Sequence, residues 1–233
     1  MGAREPARQL VLDIAPAPGY AEEDFLVSTS NEAAHAAIGL WPDWPNRILV
    51  LVGPAGAGKS HLGTIWARRA GAEILPAADF AAADVPRLAA ARHVLLEDAD
   101  QLAAQQPGLF HLVNLLGETG GSLLLTAGAF PDRWGFSLPD LLSRLRRAAV
   151  AEIFAPDDAL IRAVLVKLLV DRQLTIELNV IDYVLTRLEP TLDAVRRLVE
   201  DLDREALSRG RRITRPIAAE VLGSLQAGQE GQV

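Results

Sequence analysis

The sequence predicts an α/β fold, a parallel sheet flanked by helices, followed by a small all-helical domain. Three observations predict it. Short apolar runs alternate with helical stretches from about residue 30 to residue 155, the pattern of parallel strands joined by crossover helices. Beyond Pro156 the strand-like runs cease and four amphipathic stretches follow. Between the first strand and its helix stands the turn Gly53-Pro54-Ala55-Gly56-Ala57-Gly58-Lys59-Ser60, a glycine-rich connection of the kind that cradles phosphate.

The elements follow in order. Residues 1–19 are rich in Ala and Pro around one apolar island, Leu10-Val11-Leu12-Asp13-Ile14, and read as a flexible tail. Residues 31–41 read as a helix, with Ser28 or Ser30 as N-cap. Ile48-Leu49-Val50-Leu51-Val52 is unbroken apolar sequence stopped by Gly53, which fits a strand buried on both faces. Residues 59–71 read as a helix, and further strands are expected at 73–75, 93–96, 122–126 and 150–154. Residues 157–172, 176–189, 191–209 and 214–226 read as helices with no strand between them. Asp157, Asp158 and Thr191 suit caps, and Pro216 suits a first turn. The polar residues from Gln226 onward read as a frayed end. The expected organisation is a tail over 1–19, an α/β domain over 20–155 and a helical domain over 156–233.

Composition narrows the chemistry. Of 233 residues half are apolar and 23% charged, enough for a packed core. There is no cysteine, which removes disulfides, thiolate metal sites and thiol nucleophiles. His35, His61, His93 and His111 share no ligand-like spacing. No apolar run approaches the roughly 18 residues that a membrane span needs, and the N-terminus lacks a signal-peptide core. A soluble cytoplasmic protein with no membrane partner is expected. Residues 1–143 carry 9 basic and 16 acidic side chains; residues 144–215 carry 14 and 12. An acidic body argues against strong independent DNA binding, which needs a basic patch. Lys59 and Lys167 are the two lysines in a chain that otherwise writes positive charge as arginine.

In the glycine-rich turn, backbone N–H groups and the following helix N-terminus attract an anion. Lys59 would neutralise the β- and γ-phosphates, and the Ser60 hydroxyl would ligate Mg²⁺. Val94-Leu95-Leu96-Glu97-Asp98, 38 residues on from Lys59 to Glu97, is an apolar strand ending in two carboxylates. One suits the metal, here Glu97; the other, Asp98, suits orientation of an attacking water. Trp41, Trp44, Trp66 and Trp134 read as packing residues.

These residues resemble a known family. Gly58-Lys59-Ser60-His61-Leu62 is similar to the GKTHL form of the phosphate loop in bacterial replication AAA+ proteins: DnaA, its relatives of the Hda group, and the DnaC/IstB group. Asp24 to Val27 and Ser30 to His35 resemble the segment that helps form the adenine pocket in DnaA-type proteins. Leu138-Pro139-Asp140-Leu141-Leu142-Ser143-Arg144-Leu145 resembles the LPDLxSRL stretch of the Hda group. There the arginine, here Arg144, is an arginine finger that reaches a nucleotide in a neighbouring subunit. Val195-Arg196-Arg197-Leu198 resembles the sensor II helix and makes Arg196 a phosphate contact from the lid. Gln9, Leu10, Leu12 and Ile14 resemble the QLxLxL peptide that grips the replication sliding clamp.

The resemblance spans about residues 9–225. It implies an AAA+ P-loop fold with a helical lid that binds ADP or ATP with Mg²⁺ through residues 53–61 and Arg196. DnaA would add a further domain at each end, and neither is expected here. The implied function is regulatory: with the DNA polymerase sliding clamp, the chain would promote hydrolysis of DnaA-bound ATP and so repress replication initiation. A homo-oligomer is compatible with it. Two departures bear on hydrolysis by the chain itself. Glu97 stands where the family usually has Asp. The strand Leu123-Leu124-Leu125-Thr126-Ala127-Gly128 lacks an acidic residue that DnaA carries near Gly128, a place where Thr126 is the substitute. Intrinsic hydrolysis is therefore expected to be weak. The alternative is a DnaC/IstB-like helicase loader or transposition helper, which would bind single-stranded DNA. A nucleotide kinase is the third reading, and the helical domain argues against it.

Overall fold

The structure, a computed structural model, describes residues 22–209 and 212–230. The clamp-like Gln9, Leu10, Leu12 and Ile14 lie outside the described residues. The described chain forms two compact units. One comprises 22–160 together with Thr191–Asp193; the other comprises Ile161–Pro190 with 194–230.

The first unit is built on five strands, β1 (Ile48–Val52), β2 (Glu73–Pro76), β3 (His93–Glu97), β4 (Ser122–Ala127) and β5 (Ala149–Glu152). All pair in parallel, in the order β2-β3-β4-β1-β5. The helices α1 (Glu32–Gly39), α2 (Lys59–Ala70), α3 (Ala77–Phe80), α4 (Val85–Ala90), α5 (Gln106–Thr119) and α6 (Pro139–Leu145) cover it. β1 is an interior strand, between β4 and β5, buried along its whole length, as its unbroken apolar sequence requires. Alternation of side chains sends Ile48, Val50 and Val52 into one core, with Leu109, Leu112 and Leu116 of α5. Leu49 and Leu51 enter the other, with Ala34 and Ile38 of α1 and Leu62 and Trp66 of α2. Trp66 and Trp44 lie 5.3 Å apart, Trp41 packs edge-on to Trp66, and Trp134 is buried against Phe136, so all four tryptophans pack.

Two expectations are corrected here. The N-cap of α1 is Asn31, not Ser28 or Ser30. The Asn31 side chain accepts from the Ser28 N–H and donates to the Leu26 carbonyl, so the serines form the turn before the helix rather than its cap. The fifth strand runs Ala149–Glu152, not 150–154. Past Val52 the neighbouring chain leaves the sheet as the Gly53 loop, so Ile153 and Phe154 make only single hydrogen bonds, to the carbonyls of Val52 and Ser30.

The second unit carries α7 (Asp158–Asp171) for most of its length, α8 (Leu178–Leu185), most of α9 (Leu192–Arg209), and α10 (Arg215–Glu230). Leu165, Leu169, Val180, Val184, Val195, Leu198, Leu202, Ala218 and Leu222 are among its buried apolar residues. The Asp157 carboxylate accepts from the Leu160 N–H at 2.7 Å, as a cap should. α8 begins two residues later than expected, because Ile176 makes a parallel bridge to Ile213, a strand contact absent from the sequence reading. α10 runs on to Glu230 rather than stopping at 226, with Pro216 in its first turn. Among the described residues no helix is long and apolar enough to cross a membrane.

Candidate nucleotide-binding site

In a parallel sheet the strand ends that point the same way form a crevice where the connections diverge to opposite faces. Here β1 is followed by α2 on one face while α5, after β3, covers the other. The glycine-rich loop leaves β1 at that point. Gly53 is fixed there by donating its N–H to the Ala127 carbonyl at 3.1 Å. A Cβ on Gly53 would lie 2.3 Å from the Ile153 carbonyl oxygen, backbone that cannot step aside. Gly53→Ala is therefore expected to lower stability by about 1–3 kcal/mol and to shift the loop. Urea unfolding together with nucleotide affinity checks this; an unchanged midpoint would show that the strand ends can part.

Gly58 is the N-cap of α2 in the left-handed region, φ 104°. This bends the chain so that the first-turn N–H groups of α2 face outward, the arrangement that receives an anion. Lys59 folds back over the loop, its Nζ donating to the carbonyls of Gly53 (2.7 Å) and Pro54 (2.9 Å). Burial holds the ammonium below its ordinary pKa of 10.5, and Asp98, Asp100, Asp193 and Glu97 act against that shift in decreasing order. Phosphate binds the protonated form. As pH rises through this lowered pKa, the empty loop loses its charge earlier than an ordinary lysine would, so ADP affinity should fall on the alkaline side before pH 10.5. Affinity that holds constant up to that pH would contradict it. The start of α9 also belongs to this unit: the Leu192 N–H donates to the Gly56 carbonyl at 3.0 Å.

The carboxylate strand lies two places from β1, with β4 between. Leu96 pairs with Leu125, so Glu97 stands level with Thr126, which itself pairs with Leu51. Glu97 Oε1 is buried with no hydrogen-bond partner. A carboxylate oxygen and an exposed Ser60 hydroxyl, both without a hydrogen-bond partner among the described residues, fit Mg²⁺ that shares phosphate oxygens and water. Among the described residues no cluster of three acidic or imidazole groups offers a self-sufficient cage.

Asp98 takes a left-handed turn, φ 55°, and its N–H is accepted by the Thr126 hydroxyl at 3.1 Å. The Thr126 side chain is 1% exposed and holds the backbone of Asp98. An acid does reach Gly128 from the turn after β3: Asp100 accepts from the Gly128 N–H at 2.8 Å. Asp100 and Asp193 are absent from the sequence reading. The Glu-Asp-x-Asp run at 97–100 was the available signal for the first.

Phe25 stands beside Gly58, stacked on His35 at 5.7 Å and edge-on to His61 at 5.3 Å. His61 is 4% exposed, part of the helix packing as much as of the loop. Arg144 is not brought to this loop. It lies on α6 with its guanidinium 5.7 Å from the centre of the Phe110 ring, in a cleft that also includes Ile48, the first residue of β1. Ile48 and Gly53 are about 16 Å apart along the strand direction. Arg196 is on α9 within the helical unit.

No protein-family model and no curated protein matches the chain. Solved structures do. The chain is similar to domain III of the replication initiation protein DnaA from Thermotoga maritima, with TM-score 0.76 and 21% identity over 89% of this chain and 97% of that one. It is similar to AMPPCP-bound DnaA from Aquifex aeolicus, with TM-score 0.65 and 23% identity over 83% and 68%. Thermotoga maritima RuvB follows at TM-score 0.57 and 15% identity, over 76% and 61%. The fold is therefore that of an AAA+ P-loop domain with a helical C-terminal region.

Proposed function

We propose that the chain is a nucleotide-binding AAA+ regulator that, with the DNA polymerase sliding clamp, promotes hydrolysis of ATP held by a DnaA-type initiator and so represses replication initiation. The observation that carries this reading is the separation of Arg144 from the chain's own phosphate loop. An exposed arginine without a carboxylate partner among the described residues, placed at the far end of β1 within LPDLLSRL, serves another molecule's phosphates better than its own.

In this reading the loop at 53–60 holds ADP or ATP, as a DnaA of similar fold holds AMPPCP. Lys59 turns from its carbonyls to the phosphates, Ser60 and Glu97 hold Mg²⁺, and Phe25 with His35 and His61 forms a wall for the base. Mg²⁺ supplies charge neutralisation at the phosphates when bound. Arg196 contacts the phosphates from the helical lid, residues 156–233. Asp98 is the water-orienting candidate. The chain's own turnover is slow, because Glu97 stands where the family usually has Asp. Arg144 enters the initiator's site and stabilises charge on the transferring phosphoryl group. Gln9, Leu10, Leu12 and Ile14 grip the clamp as an extended peptide.

The test is phosphate release from ATP–DnaA with and without this chain and DNA-loaded clamp. Release that requires both is expected. Release that ignores either one would end the reading. A second reading, a DnaC/IstB-like loader, draws on a DnaA of similar fold bound to AMPPCP and single-stranded DNA. The net charge of −7 opposes it. Submicromolar single-stranded DNA binding in a fluorescence titration would favour it.

A further inference from the structure

A cleft of about 620 Å³ opens beside Arg144. Arg47, Arg144 and Arg147 all line it, and Asp140 is its one carboxylate. None of the three guanidiniums has an ion-pair partner among the described residues. Elsewhere Arg146, Arg162, Arg172 and Arg204 each meet a carboxylate. In a chain of net charge −7, three arginines against one carboxylate in one concavity make a local positive field.

The backbone holds this arrangement against its own preference. Asn46 and Arg47 both have positive φ, 50° and 56°, a region that residues with a Cβ rarely occupy and that clusters at functional sites. The Asn46 amide donates to the Arg147 carbonyl at 3.1 Å. The turn before β1 is thereby tied to the chain leaving α6, and Arg47 and Arg147 come as one unit. All three arginines are exposed, and the Arg144 guanidinium rests on the Phe110 ring.

We infer that Arg47 and Arg147 are positioning residues which, with Arg144, form a receptor for the terminal phosphate oxygens of a nucleotide held by a partner P-loop subunit. This rests on the trans reading of Arg144. Planar guanidiniums grip phosphate oxygens two at a time. Arg47 and Arg147, whose backbones the Asn46 bond joins, draw in and register the partner, and Arg144 reaches the reacting phosphate.

The test titrates the full-length chain against ATP-loaded DnaA and DNA-loaded clamp, following phosphate release. Arg47→Ala and Arg147→Ala are each expected to raise the half-saturating concentration roughly tenfold and to weaken its salt dependence, with the maximal rate within about twofold. Arg47→Lys should recover part of the affinity. Wild-type half-saturation and salt dependence in both alanine variants would overturn the proposal while leaving Arg144 its role. No release with the unmodified chain would overturn the trans reading and this proposal's partner together. A second arm adds inorganic tripolyphosphate to ¹⁵N-labelled Lys59→Ala chain. The side-chain Nε–H signals of Arg47, Arg144 and Arg147 are expected to shift together, and no shift at millimolar concentration would overturn the receptor chemistry. Tight tripolyphosphate binding with an unresponsive release assay would replace the partner subunit with a free polyphosphate and so overturn the assignment.

Discussion

Lys59→Ala is expected to weaken ADP and ATP binding at least about a hundredfold. The ammonium is the one cation folded into the loop, held there by two carbonyls 2.7 and 2.9 Å away. A phosphate ligand must take over those two hydrogen bonds. Hydrogen bonds to charged groups contribute about 1.5–3 kcal/mol each, and each 1.36 kcal/mol is a factor of ten. The variant also leaves Glu97, Asp98, Asp100 and Asp193 facing the phosphates with no cation between them. Calorimetric titration with ADP, together with a thermal melt of the free variant, separates loss of the site from loss of the fold. Affinity within tenfold of wild type would mean that the loop is a strand–helix turn and not a nucleotide site.

Arg144→Ala is the second large effect. Arginines supplied in trans are worth about 10³–10⁵ in rate in GTPases, so stimulated release from ATP–DnaA should fall at least about a hundredfold. Nucleotide and clamp binding by the chain should be unchanged, since the residue lies far from the loop and is exposed. Loss of the contact with Phe110 costs at most about 1 kcal/mol. Arg144→Lys should not rescue, because an ammonium lacks the planar fork. Stimulation retained in Arg144→Ala would remove the residue from the reaction and with it the argument from its position.

The two effects differ in how openly the sequence announces them. Ile48–Val52 followed by Gly53 is legible because a strand buried on both faces has no polar position to disguise it, and the glycines mark where backbone must approach an anion. The ends of elements are less legible. Whether Ile153 and Phe154 are strand depends on where β1 stops, which is written 100 residues earlier. Asp100 is not legible for a similar reason. The left-handed turn at Asp98 decides which groups meet at the strand ends, and aspartate carries no periodic signal that such a turn is coming. Arg47 is the extreme case: nothing in Pro-Asn-Arg reports positive φ at two successive non-glycine residues. Arg144 was found through the motif around it, but its cleft was not, because Arg47 and Phe110 approach it only through the fold.

The order β2-β3-β4-β1-β5 has a consequence in time. Strand β1 is the first strand synthesised, yet its neighbours are β4 and β5. Val52 waits 100 residues for its partner Glu152. At roughly 5–20 residues per second, an emerging chain displays Ile-Leu-Val-Leu-Val for about 5–20 s before both flanks of that strand exist. The segment that seats the phosphate loop is thus the one left longest without neighbours on the ribosome. It is the natural place for a holding chaperone to bind, and slowing translation between β1 and β5 would lengthen the interval in which this protein aggregates.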